Sequence, residues 1–209
     1  MSPANLAPRD IPLEAFERMP GTLQSLLAAY LPPDTRDPCA QQEHEDLARM
    51  RRFAVELASP FSRSQPFAHF TGSAVVVDGA GARVCLVHHR KLGRWLQPGG
   101  HSEPQDAGDL HATALREARE ETGLEVRPHP SAPHPLDVDA HRIPARPDAP
   151  EHWHLDVRFL LVADHPAALA PDSVETRGAR FFTFDEALAL ADEPALRRVL
   201  SKARAAGPA

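Results

Sequence analysis

Glu117, Glu120 and Glu121 crowd into the stretch REAREETG, Arg116 to Gly123. In a helix, residues three and four apart are neighbours, so the three carboxylates share one face. Like charges at these spacings repel, and the C-terminal end of a helix favours cations over anions. Each effect costs from a few tenths to about 1 kcal/mol at a surface. Arg116 offsets part of this through its i,i+4 relation to Glu120. A solvated acidic helix end is one reading. The other is a divalent cation of the Mg²⁺ class, which takes carboxylate oxygens and relieves the repulsion.

Further chemistry-bearing residues lie on both sides. The run HWHLDVRFLL, His152 to Leu161, alternates, with Trp153, Leu155, Val157 and Phe159 on one face. His154, Asp156 and Arg158 occupy the other, where His154 and Arg158 are candidates for phosphate contact. The same His-x-His-x-Asp spacing also admits a transition-metal site, although strand alternation alone accounts for it. His88, His89 and Arg90 precede a glycine-rich loop and are either phosphate contacts or surface groups. Trp95 either stacks on a base or packs under the Gly-Gly loop. His69 reads as a tie between a strand start and that loop, and Cys85 as core.

These residues need elements to carry them. A helix is expected over residues 109–122, with Asp109 as N-cap and Gly123 ending it in the left-handed conformation. TGSAVVVD and ARVCLVHH read as strands of a hairpin around DGAG. LDVDAHRI, HWHLDVRFLLVA and ARFFTF are later strands, and DEALALADEPALRRVLSKARA is helical. Ahead of them, residues 12–31 and 40–58 carry apolar stripes at helical spacing: Leu23, Leu26, Leu27, Tyr30 and Leu31, then Leu47, Met50, Phe53, Ala54 and Leu57. LPPDTRDP breaks the first helix, and SPFSRSQPF links the second to the strands. The reading is a helical N-terminal extension, residues 1–66, before an α/β domain, residues 67–209. The stripes should dock on that domain or on a second copy of the chain, a homodimer.

GGHSEPQD and REAREETGL, with the strands around them, resemble the Nudix box of the Nudix hydrolase superfamily. In that pattern a glycine is followed after five residues by glutamate, and after seven more by Arg-Glu-apolar-x-Glu-Glu-x-Gly-apolar. Gly100 opens the pattern here, and Arg116, Glu117, Ala118, Glu120, Glu121, Gly123 and Leu124 fill its second half. Two departures stand out. Asp106 occupies the place of the first glutamate, and nine residues separate it from Arg116. Asp106 and Glu103 are rival partners for Arg116. The resemblance covers residues 69–190. It implies an α/β/α sandwich around a mixed sheet.

It also implies Mg²⁺ or Mn²⁺ bound by Glu120 and Glu121 near the carbonyl of Gly99 or Gly100. Glu117 is then a further ligand or the orienter of the attacking water, and Arg116 a clamp on a glutamate. Glu175, before a late strand with an aromatic pair, matches the place of another catalytic acid. The implied activity is hydrolysis of a nucleoside diphosphate derivative, of the ADP-ribose or nucleotide-sugar type. A Nudix-fold binding or regulatory module without catalysis is the alternative. The only tyrosine is Tyr30, so the tyrosine that diadenosine polyphosphate members carry after the box is missing. Pro144 lies near, not at, the proline of the ADP-ribose type.

The resemblance implies a small-molecule nucleotide as partner. A formal charge of −6 argues against a nucleic-acid polymer. Nothing resembles a membrane span or a signal peptide, and two separate cysteines make no disulfide framework, so a reduced cytoplasm is expected.

Overall fold

The computed structural model describes residues 22–33, 38–147, 149–171 and 176–209. The helices are α1 (Thr22–Ala29), α2 (Pro38–Glu56), α3 (Leu110–Thr122), α4 (Phe184–Leu190) and α5 (Pro194–Ala206). The strands are β1 (Ala68–Asp78), β2 (Arg83–His89), β3 (Arg94–Leu96), β4 (Gly99–His101), β5 (Val126–Pro128), β6 (Asp137–Ile143), β7 (His152–Ala163) and β8 (Thr176–Thr183). No described helix is long and apolar enough to cross a membrane.

All eight strands form one mixed sheet centred on β1 and β7. These two run parallel over their length, Ala68 opposite Trp153 through Asp78 opposite Ala163. Every other pairing among the described strands is antiparallel: β2 and β4 along β1, β3 and β8 along β2, β5 and β6 along β7. Strand alternation sends side chains to two faces. Ala68, Phe70, Ala74 and Val76 of β1 join Leu155, Val157 and Leu161 of β7 in a cluster covered by α1, α2 and α3. Val75, Val77, Leu160 and Val162 face the other way, under α4 and α5. The molecule is the expected α/β/α sandwich.

The N-terminal stripes are part of the first cluster. Leu23, Leu27, Tyr30, Leu47, Met50, Phe53 and Ala54 are all buried in it. Burial of side chains such as Leu27, Leu47 and Met50 stabilises by about 1.5–3 kcal/mol each. Residues 12–21 of the first expected helix lie outside the described residues. Helix α2 begins at Pro38, two residues earlier than expected, as suits a proline in a first turn.

Three short strands lie where no element was expected. β3 and β4 are held by pairing with β2 and β1, and β5 by β7. Their three-residue length leaves no period to read. The C-terminal helical run is two helices: α4 ends before Ala191, and Pro194 restarts the chain as α5 because proline is welcome only in a first turn. Asp78 builds the β1–β2 turn by accepting the Ala82 and Arg83 N–H groups at 2.9 and 3.2 Å.

Candidate active site

Helix α3 starts and stops where its sequence dictates. The Asp109 carboxylate accepts the His111 N–H at 2.9 Å, and Gly123 closes the helix at φ +70°. A Cβ at Gly123 would lie 2.3 Å from the Ala170 carbonyl oxygen, so glycine is required there by space as well as by torsion. Leu110, Ala114 and Ala118 bury one side of α3 against the sheet. This aims the acidic side at β4. The Gly99 N–H donates to Glu121 at 3.0 Å. A Cβ on Gly100 would meet a Glu117 oxygen at 2.5 Å, so Gly100 is the space into which that carboxylate fits.

Arg116 organises the helix face. Its Nη1 donates to Glu117 at 3.0 Å and to Glu120 at 2.9 Å, while Nη2 reaches the His101 carbonyl at 2.8 Å. Both oxygens of Asp106 accept from the same guanidinium, the closest contact being 2.9 Å from Nη2. Asp106, and not Glu103, is therefore the partner of Arg116. Glu103 is exposed, and its side chain takes a bond from Gln105. The longer loop makes up for the shorter side chain. It folds as a 3₁₀ turn over Pro104–Asp106 with Ala107 and Gly108 left-handed, placing Asp106 buried over the helix start. There its carboxylate also accepts the Thr113 hydroxyl and the Glu103 N–H, at 3.0 and 2.9 Å. Burial works to raise the Asp106 pKa, but the Arg116 charge and these donors hold it below the usual carboxylate range.

The cluster is thus a graded set of carboxylates. Glu121 is buried, the Glu117 side chain is 13% exposed and that of Glu120 56%. Three carboxylates form a hard oxygen donor set, which suits Mg²⁺ or Mn²⁺ and not a soft ion.

A family model described as NUDIX domain matches residues 68–203. The chain belongs to the NUDIX domain family. The Nudix match carries the enzyme class with it, a pyrophosphohydrolase-type hydrolase, and leaves α1 and α2 outside. No curated protein matches the sequence. Solved structures similar to this chain include a NUDIX family hydrolase from Clostridium perfringens, 21% identical, covering 66% of this chain and 95% of that one with a TM-score of 0.48. An Ap4A hydrolase binary complex from C. elegans is 18% identical and covers 65% and 95%, TM-score 0.46. The NUDIX domain of Shewanella oneidensis NrtR, complexed with ADP ribose, is 15% identical and covers 74% and 96%, TM-score 0.48.

The other expected site residues of this Nudix chain are scattered. His88 and Trp95 meet edge-on across β2 and β3, ring centroids 5.1 Å apart, and Trp95 packs on Phe182 at 4.9 Å. Arg90 donates to the Thr176 carbonyl at 3.0 Å, tying the β2–β3 turn to the start of β8. Glu175 lies outside the described residues.

Arg158 is a correction. It was expected at a phosphate but is buried in the sheet, where its nitrogens donate to Asp156 and Asp139 at 2.9 Å and to Asp137 at 3.3 Å. A cation ringed by three aspartates is held in place by them and has no face to offer a substrate. Its neighbours extend the network. Arg198 and Lys202 of α5 pair with Asp137 at 2.8 and 2.9 Å, and Lys202 and Tyr30 both contact Glu43 of α2.

His154 is also away from the carboxylates. It lies with His69 and His101, ring centroids 4.7 and 5.0 Å away, in a group that strand register brings together. His69 and His101 hydrogen-bond through their Nε2 atoms at 3.0 Å, so His69 does tie β1 to the Gly-Gly strand. Burial above all, with the neighbouring imidazoles and Arg63, pushes His69 down to about 4 and His101 to about 3, and His154 falls as well. The sequence reading missed this meeting, along with Thr113 as support for Asp106. Only the His152–His154 spacing signalled it; His69 and His101 come from strands whose register no local pattern shows.

Proposed function

We propose that this chain hydrolyses the diphosphate linkage of a nucleoside diphosphate derivative with Mg²⁺ or Mn²⁺. The observation that carries the reading is the convergence of Glu117, Glu120 and Glu121 on the Gly99–Gly100 strand, with Arg116 locked beside them by Asp106. Glu120 and Glu121 hold the cation, with the carbonyl of Gly99 or Gly100. Glu117 is a further ligand or holds the attacking water. When bound, the cation neutralises charge on the phosphoryl oxygens and makes water a stronger nucleophile.

Arg116 contributes orientation. Fixed by Asp106 and the His101 carbonyl, it sets the Glu117 and Glu120 carboxylates and tempers their repulsion. His88, Arg90 and Trp95, on the β2–β3 hairpin, are the side chains to test for substrate contact. Glu175 is the second acid candidate. An ADP-ribose or nucleotide-sugar substrate is the finer reading, and the compartment is the cytoplasm.

A panel of nucleoside diphosphate derivatives, incubated with Mg²⁺ or Mn²⁺ and read by phosphatase-coupled phosphate release, tests this. Turnover of one class is expected, abolished by EDTA and restored by the cation. Full activity in excess EDTA, or no turnover of any derivative, would overturn it.

A further inference from the structure

Three strands each bring one imidazole to the same point: His69 from β1, His101 from β4 and His154 from β7. One ring nitrogen or more from each lies within 4.8 Å of the others. The ring centroids form a near-equilateral triangle, with sides of 4.9, 4.7 and 5.0 Å. His152 flanks it, 5.0 Å from His69 and 5.3 Å from His154. The His152 Nδ1–H donates to the Pro150 carbonyl at 2.8 Å, which leaves the lone pair on its Nε2.

Strand alternation explains why His152 and His154 share a face. It does not explain why three further strands add imidazoles there, counting β6, whose His141 ring is 5.6 Å from His154. Nor do the rings satisfy one another. Apart from the single His69–His101 bond, His69 keeps its Nδ1 buried without a hydrogen-bond partner among the described residues. That nitrogen lacks a partner in either tautomer, and a buried polar atom left so is destabilising. Three nitrogens around a tetrahedral cation at ~2.0–2.1 Å are about 3.3 Å apart, so nitrogens within 4.8 Å of one another have to close by about 1.5 Å at most. His101 and His154 are only partly buried, which gives an ion a way in.

We propose that His69, His101 and His154 bind Zn²⁺ or a similar first-row transition cation, with His152 or a water as fourth ligand. Imidazole nitrogens select this class of ion, whereas the carboxylates of α3 select Mg²⁺ or Mn²⁺. The chain then holds two metal sites of different chemistry. His101 directly follows Gly100, and its carbonyl receives Arg116. A cation on its ring would pin the Gly-Gly strand to β1 and β7 and so steady the hydrolytic centre without touching substrate.

The test uses the full chain, stripped with chelator and titrated with Co²⁺. Four-coordinate, nitrogen-ligated Co²⁺ absorbs strongly in the visible, and six-coordinate, oxygen-ligated Co²⁺ only weakly. Strong absorption is expected at one equivalent, lost in His154→Gln and in His101→Gln, and retained when Glu120 and Glu121 are both changed to glutamine. Zn²⁺ should displace the Co²⁺, and excess Mg²⁺ should not. Weak absorption only, or strong absorption that survives both histidine changes, would overturn the proposal. Should the variants fail to fold, ¹¹³Cd NMR of the wild-type protein decides. A resonance in the nitrogen-ligated range supports the site, and a resonance confined to the oxygen-ligated range refutes it.

Discussion

Of the three clustered glutamates, Glu121 is the most buried, and its carboxylate is held by the Gly99 N–H at 3.0 Å. Glu121→Gln keeps size and removes charge. Turnover should fall by about 10²-fold or more through lost charge stabilisation. Stability of the metal-free protein should change little, because one member of a repelling cluster is neutralised. Steady-state kinetics and thermal unfolding of the same two proteins check this, and an active variant removes Glu121 from the site. Asp106 acts one step back. Asp106→Asn keeps the shape but weakens the bonds to Arg116, each worth about 1.5–3 kcal/mol when an ion takes part. The expectation is a loss of stability in that range and a drop in kcat with KM nearly unchanged, with Asp106→Glu recovering part of both. A variant with normal kcat would show that Arg116 needs no partner.

At the scale of elements, the strands that gather imidazoles also make the fold sensitive to acid. His69, His101 and His154 are held neutral below their ordinary range, chiefly by burial, so the unfolded chain binds protons that the folded chain refuses. Their contribution is intact above about pH 6.5 and is lost as pH falls toward 4 and below. Each such group lowers unfolding free energy by up to about 1.4 kcal/mol per pH unit. Asp46, pushed up to about 6 by burial, and Glu43, raised likewise, act in the opposite sense, since their stabilisation is lost as pH rises. The comparison that isolates the histidines is His154→Gln against wild type, both metal-free, by denaturant titration from pH 7 to 4. The variant should show the shallower decline, and parallel curves would contradict the neutral cluster. The elements differ in how plainly the sequence announces them. Helix α3 was legible to within a residue because capping by Asp109 and Gly123 is local chemistry. Strands β3, β4 and β5 were not, since three residues held by a neighbour leave no pattern of their own. The carboxylate site was legible for the same reason as α3, lying on one helix. Arg158 was misread because its partners Asp137 and Asp139 sit on another strand, and only β6–β7 register reveals that they face it.

In the whole molecule, α1 and α2 are one wall of the core and not an appendage. Removing residues 1–60 would expose Phe70, Val138, Leu155 and Val157, now buried beneath or beside those helices. The truncated chain should unfold at lower temperature and lose monodispersity, as calorimetry and size-exclusion chromatography would show. Met50→Ala, which empties a fully buried position, should cost about 2–5 kcal/mol by itself. Unchanged melting of the truncated protein would mean that the sheet supplies its own cover. The ion network that joins these helices to the rest also imposes an order in time. Glu43 meets Lys202 across 159 positions of sequence. At roughly 5–20 residues per second, a ribosome finishes α2 about 7–29 s before it supplies that lysine. The parallel partner of β1, β7, ends only at Ala163, so for most of this interval the stripe of Leu47, Met50 and Phe53 lacks its full sheet, and Glu43 lacks its counter-charge throughout it.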